Sequence, residues 1–171
     1  MPNGYNGKIL HVDLTQGTLA VEEPNEAFYR KYMGGSAMGM YYILRDMPKG
    51  ADPLGPENVL TLMAGVTTGA PISGQSRLNA NAKSPISGGI GDSQSGGFFP
   101  AELKFAGFDG IVVKGKSPKP VYLAIVNGTP ELRDAAHLMG KLTGEVDDIL
   151  HKEVDPKAEI LQHGPGAEKG V

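Results

Sequence analysis

Gly110-Ile111-Val112-Val113-Lys114-Gly115-Lys116-Ser117 satisfies the phosphate-loop pattern of glycine, four residues, glycine, lysine and serine. That pattern works only if its middle residues form a loop whose N–H groups wrap phosphate and a helix follows the serine. Here the middle is Ile-Val-Val, whose branched side chains suit a pleated strand. Pro118 and Pro120 then oppose a helix after Ser117. The segment reads as a strand over Ile111–Lys114 followed by a turn. With the phosphate loop set aside, and with no regular strand–helix alternation along the chain, a doubly wound sheet is poorly supported. An α+β fold is expected.

Upstream, Phe98–Ala106 predicts a helix with Pro100 in its first turn and Gly107 just past its end. Before it lies a glycine-rich stretch, Gly69 to Gly97, within which Leu78–Ala82 reads as a strand. Val59–Ala64 is a short apolar strand leading into that stretch. Asn25 caps a helix running to Met33, ended by Gly34-Gly35. A second helix follows Ser36 and stops at Pro48; its residues Ala37, Met40, Tyr41 and Leu44 are spaced for one buried face. Lys8–Leu14 and Thr18–Glu22, joined through Gln16-Gly17, form a hairpin.

Downstream, Val121–Val126 predicts a strand closed by an Asn127-Gly128 turn. Asp134 caps a short helical turn. Thr143 caps a longer helix with Val146, Ile149, Leu150 and Val154 on one stripe. Glu159–Gln162 reads as a last strand, and Gly164-Pro165-Gly166 opens a loop in which the chain ends at Val171. The expected organisation is one domain over residues 1–171, truncated at its C-terminal end.

Composition narrows the function classes. With 16 Lys and Arg against 19 Asp and Glu, the net charge of −3 argues against a general nucleic-acid binder. There is no cysteine, so this chain offers neither disulfides nor thiolate metal ligands. The N-terminus lacks the apolar run of a signal peptide and no apolar stretch is long enough to span a membrane. A soluble, cytoplasmic protein is the expectation. Histidines 11, 137, 151 and 163 have no metal-ligand spacing, and Asp147-Asp148 near a helix start complements the dipole. The dinucleotide fingerprint begins at Gly89-Ile90-Gly91 but puts Gln94 where its third glycine belongs.

What remains is the Gly69–Gly97 stretch. Glycine costs backbone entropy on folding, so a dense run marks tight turns or a close ligand approach. Gln94-Ser95-Gly96-Gly97 stands directly before a proline-started helix, where orphan N–H groups form an anion site. Arg77 sits among serines, glycines and asparagines and can grip phosphate bidentately. Both readings point to a phosphate-bearing ligand.

These residues carry a resemblance. Gly74-x-Ser76-Arg77 with Asn79, then Lys83-Ser84-Pro85-Ile86-Ser87-Gly88, Ser95-Gly96-Gly97-Phe98-Phe99 and Ala101-Glu102-Leu103-Lys104-Phe105-Ala106-Gly107-Phe108-Asp109, resembles the N-terminal domain of the tungsten-containing aldehyde ferredoxin oxidoreductases. Gly7–Leu14 with Gly17 is similar to that family's opening hairpin, and Asp52–Asn58 to the loop before its next strand. The likeness runs over the whole chain in order. It implies a β-sheet base domain with short interspersed helices, on which a bis-pterin tungsten (or molybdenum) cofactor sits. It further implies oxidation of aldehydes to carboxylates with electrons passed through an iron–sulfur cluster to ferredoxin. By resemblance, Arg77 hydrogen-bonds the pterin, while Gln94, Ser95, Gly96 and Gly97 contact its phosphate and a bridging magnesium. The family carries asparagine at the position of Gln94, which keeps the amide oxygen but places it one methylene further out. The cluster cysteines belong to the remainder of the enzyme or to a completing subunit, so the chain alone is expected to be inactive. Two other readings stand beside this one: the base domain of a tungsten subunit reducing an aromatic acyl thioester, and a non-catalytic remnant that binds a phosphorylated ligand or a partner chain.

Overall fold

Alternating residues on either side of Gln16-Gly17 produce the first hairpin. β1 (Ile9–Asp13) pairs antiparallel with β2 (Thr18–Glu22), Ile9 opposite Glu22 and Asp13 opposite Thr18. Gly17 supplies the positive φ of 66° that closes the turn. The structure is a computed structural model that describes residues 4–169. These residues fall into two compact units that divide between Lys116 and Ser117.

The first unit is built on a six-stranded sheet in the order β2-β1-β6-β3-β4-β5. Its remaining strands are β3 (Val59–Ala64), β4 (Leu78–Lys83), β5 (Ile90–Ser95) and β6 (Gly110–Lys114). β6 runs parallel to β1 and antiparallel to β3, so the phosphate-loop look-alike is an interior strand of a mixed sheet. Two helices cover one face: α1 (Glu26–Tyr32) and α2 (Gly35–Asp46). Asn25 caps α1 by accepting the Phe28 N–H at 3.0 Å. The core beneath them joins Ile9, Val59, Met63 and Val112 of the strands to Tyr29, Met38, Tyr42 and Ile43 of the helices.

The face that α2 buries differs from the one its apolar spacing predicts. Gly35, Met38, Gly39, Tyr42 and Ile43 face the sheet, whereas Ala37 and Leu44 are exposed and Met40 and Tyr41 are half-buried. The two glycines decide this. A Cβ on Gly39 would stand 2.6 Å from both Asn81 Oδ1 and Thr61 Oγ1, and one on Gly35 would stand 2.9 Å from Asn79 Oδ1. The helix lies against the strands along its smallest residues.

α3 (Phe99–Phe105) follows β5, with Pro100 at its start. β5 itself was not expected: its sequence Ile-Gly-Asp-Ser-Gln-Ser carries almost no strand propensity. It forms because the edge of β4 offers a full antiparallel ladder, from Leu78 opposite Ser95 to Lys83 opposite Ile90.

The second unit holds an antiparallel pair, β7 (Val121–Val126) and β8 (Thr129–Asp134). Asn127 and Gly128 both take positive φ, 50° and 79°, as the expected tight turn requires. Asp134 accepts the Ala136 N–H at 2.9 Å ahead of a 3-10 turn over Ala136–Leu138. α4 (Thr143–Glu153) is capped one residue earlier than expected, at Leu142, whose N–H the Glu145 carboxylate accepts at 2.9 Å. Leu150 with Val146, Ile149 and Val154 packs on Ala135, Leu138 and Tyr122.

Glu159–Gln162 is not a strand. Ile160 packs against the Leu150 cluster, and the Gln162 amide donates to Thr143 O at 3.0 Å, so side chains rather than a ladder hold the segment. The expected loop after Gly164 contains a single helical turn, α5 (Pro165–Glu168); Gly170 and Val171 lie outside the described residues.

Candidate phosphate seat at the Arg77 loop

Arg77 ends the loop between β3 and β4, and its backbone is tied on both sides. Its carbonyl accepts from Gly65 N at 2.9 Å. Its N–H donates to Thr68 Oγ1 at 3.1 Å, and the same hydroxyl lies 3.2 Å from Arg77 O and 3.3 Å from Gln75 O. The Gln75 side chain closes the loop by accepting from Gly69 N at 2.7 Å. The guanidinium is left exposed, with no ion pair or hydrogen bond among the described residues.

The second half of the expected site lies beside it. Leu78 is opposite Ser95 in the ladder, which sets Arg77 across from Gly96. Ser76 Oγ donates to Gly97 O at 2.6 Å and joins the two segments directly. Residues widely separated in the sequence reading are therefore neighbours at one end of the β4–β5 edge. One detail is corrected: Gln94 and Ser95 are not loop residues but the last two of β5. Gly96 and Gly97, with Phe98, form the turn into α3. Gly97 has a φ of 80°, and a Cβ there would meet nothing within 4 Å, so that backbone is open to an approaching group. Gln94 is exposed opposite Asn79, and its amide makes no hydrogen bond among the described residues.

α3 is seven residues long and its first residue is capped by no side chain. An anion seated here would be held by the Arg77 charge and local N–H groups rather than by a long helix dipole. The residues suit a phosphate-bearing group: Arg77, its guanidinium unpaired among the described residues, and an unobstructed glycine turn lie at the same end of the β4–β5 edge.

Several neighbours escaped the sequence reading. Asn79, 6% exposed, donates to Ser36 Oγ at 2.7 Å and approaches Asp92 Oδ1 at 3.4 Å, while Ser36 Oγ donates to Asp92 Oδ2 at 2.6 Å. Asn-x-Asn on a strand with buried inward positions was the available signal. Asp109 accepts from Asn6 N and Gly7 N, each at 2.8 Å, and from Tyr29 OH at 3.0 Å. Burial first, and the Asp109 carboxylate second, push the Tyr29 phenol above the usual tyrosine range.

The histidines take structural partners. His11 lies 2.7 Å from Glu22, His137 lies 3.0 Å from Glu153, and His151 lies 3.2 Å from Asp147 one helical turn earlier. Among the described residues no group of three or more His, Asp or Glu side chains is placed to hold a metal ion. An open cleft of about 390 Å³ lies by β1 and β2, at the opposite edge of the sheet from Arg77. Its charges are already paired: Arg45 with Asp46 at 2.5 Å and Glu22 at 3.0 Å, and Lys114 with Asp13 at 3.5 Å.

Comparison with known proteins identifies the family and the fold. The family profile described as aldehyde ferredoxin oxidoreductase, N-terminal domain, matches residues 9–171. The tungsten-containing aldehyde ferredoxin oxidoreductase of Pyrococcus abyssi is 43% identical over 169 residues, 98% of this chain and 28% of that protein. An aliphatic sulfonate oxidoreductase, WOR-like subunit, of Pyrococcus furiosus is 39% identical over 153 residues, 88% of this chain and 24% of that protein. Among solved structures, a chain of the active-site complex BamBC of benzoyl coenzyme A reductase, in complex with 1,5-dienoyl-CoA, superposes with a TM-score of 0.87 at 37% identity. That match covers 92% of this chain and 24% of the other. The chain thus spans roughly a quarter of each relative, confirms the α+β sheet base with short helices, and belongs to the aldehyde ferredoxin oxidoreductase family, of which it carries the N-terminal domain.

Proposed function

We propose that this chain is the base on which the phosphate-bearing end of a bis-pterin tungsten cofactor rests. The whole enzyme would oxidise aldehydes to carboxylic acids and pass electrons through an iron–sulfur cluster to ferredoxin. One observation carries the reading: Arg77, whose guanidinium is unpaired among the described residues, follows Ser76, and Ser76 is bonded to the open Gly96–Gly97 turn. Arg77 presents a planar fork of donors that matches phosphate oxygens in pairs. Backbone N–H groups of the Ser95–Gly97 segment would add donors. The free Gln94 amide offers an oxygen to a magnesium ion held on the phosphate. The bound cofactor supplies the redox chemistry; the chain supplies orientation and charge.

The chain has no cysteine, so the cluster ligands would come from the remainder of the enzyme or a completing subunit. Absence of thiols also fits the cytoplasmic location proposed for it. No helix among the described residues is long and apolar enough to cross a membrane. The structural match favours one second reading, the base of a subunit reducing an aromatic acyl thioester. Relatives named for aldehyde, aliphatic sulfonate and benzoyl-coenzyme A are all similar to this chain, which supports a reading in which substrate choice lies outside it.

The test is titration of the chain with inorganic pyrophosphate and magnesium in a calorimeter. Removing one charge-assisted bond costs about 1.5–3 kcal/mol, so Arg77→Ala should weaken binding about tenfold or more, with Arg77→Lys in between. Equal affinity in wild type and Arg77→Ala would reject the assignment. In the complete enzyme the same substitution should lower tungsten content.

A further inference from the structure

Lys104 of α3 is 2% exposed, yet it plays no part in the seat just described. Its Nζ donates to Gly4 O at 2.6 Å and to Val66 O at 3.0 Å, and its own carbonyl accepts from the Asn6 amide at 2.7 Å. Burial holds this lysine below its usual pKa, against the opposing pull of Asp109. An apolar side chain of similar volume would avoid that desolvation cost, so the ammonium does something that packing alone does not.

Its acceptors show what. Val66 lies between Gly65, whose N–H donates to Arg77 O, and Thr68, whose hydroxyl brackets the Arg77 peptide. α3, which carries Lys104, begins just after Gly97, and Gly97 is joined to Ser76 beside Arg77. A closed circuit runs from the Gly97 turn through α3 and Lys104 to Val66, on through Thr68 to Arg77, and back through Ser76. We infer that Lys104 is a positioning residue: it locks the Gly65–Thr68 loop to α3 and so fixes Arg77 against the Gly96–Gly97 turn. This rests on the reading of Arg77 as a phosphate ligand.

The test uses the 171-residue chain, inorganic pyrophosphate as the probe, and amide hydrogen exchange. Lys104→Met and Thr68→Val should each weaken pyrophosphate about tenfold, on the scale of one lost hydrogen bond to a charged or buried group. Thr68→Ser, which keeps the hydroxyl, should restore affinity to within about twofold. The double variant should lose about tenfold rather than a hundredfold, because both changes cut the same circuit. Without ligand, the Arg77 amide should exchange about tenfold faster in Lys104→Met, while β1 and β6 keep wild-type protection. Wild-type affinity in Lys104→Met, a multiplicative double variant, or unchanged exchange at Arg77 would each overturn the inference. A wild-type chain that binds no pyrophosphate overturns the phosphate reading instead, and the exchange measurement then decides the role of Lys104 alone. Should Lys104→Met fail to fold, Lys104→Gln, which is neutral and one bond shorter, takes its place in both arms with the same outcomes expected.

Discussion

Gly39 sets how closely α2 approaches the sheet. A methyl group there would lie 2.6 Å from Asn81 Oδ1 and from Thr61 Oγ1. Those residues are 1% and 0% exposed, so neither can swing aside. Asn81 Oδ1 has no hydrogen-bond partner in the structure and faces the glycine directly. Gly39→Ala should therefore destabilise the chain by about 1–3 kcal/mol despite alanine's better helix propensity, seen as a lower urea midpoint. A neutral or stabilising result would mean that helix and sheet are not in contact here. Gly17, whose φ is positive and which has open space around it, is a turn requirement of a different kind. The Gly35-x-x-x-Gly39 spacing was present in the sequence as a sign of close packing, but hydropathy gives glycine no weight. Arg77 stood out in the sequence as a candidate because a lone charge among small polar residues has few structural uses. Thr68, Asn79 and Lys104 did not, because their roles depend on partners distant in the chain.

Among the elements, α2 is the instructive case. Its residues Ala37, Met38, Met40, Tyr41, Tyr42, Ile43 and Leu44 are apolar over most of its circumference, so spacing alone fits more than one face. The structure chooses the stripe through Met38, Tyr42 and Ile43 and leaves Leu44 74% exposed. Ile43→Ala should then cost about 2–5 kcal/mol and Leu44→Ala no more than about 0.5 kcal/mol, measured by urea unfolding. The reverse order would favour the stripe that the spacing predicts. β5 and β8 illustrate another limit: each is held by a neighbouring strand, and β5 by backbone pairing with little help from its side chains. α3 carries a pH prediction. Because the folded pKa of Lys104 lies below its unfolded value near ~10.4, the unfolded chain binds more protons as pH rises through that window. Wild type should gain stability relative to Lys104→Met as pH rises toward about 10.5, read from paired urea midpoints. A difference that stays flat or moves the other way would show that Lys104 is not held against its charge.

For the molecule as a whole, the decisive pairing joins the two ends of the first unit. β1 lies parallel to β6 with Ile9 beside Gly110, and Asp109 N donates to Lys8 O at 2.8 Å. Such a contact across about a hundred residues leaves no trace in local sequence, which is why β1, β3, β4 and β6 were legible and their order was not. The consequence concerns where the seat is encoded. Thr68, Ser76, Arg77, Gln94–Gly97 and Lys104 all lie in the first unit, as do the strands that set their register. That unit also holds its own buried core, from Ile9 to Val112. A chain of residues 1–116 should therefore fold cooperatively and bind pyrophosphate within about threefold of the full 171 residues, since no seat ligand is removed. Residues 117–171 alone should bind none. Circular dichroism with calorimetric titration of the two pieces measures both outcomes. Retained folding with lost binding in residues 1–116 would place part of the seat in the second unit and would break the assignment of a self-contained half-site to the Arg77 edge of the sheet.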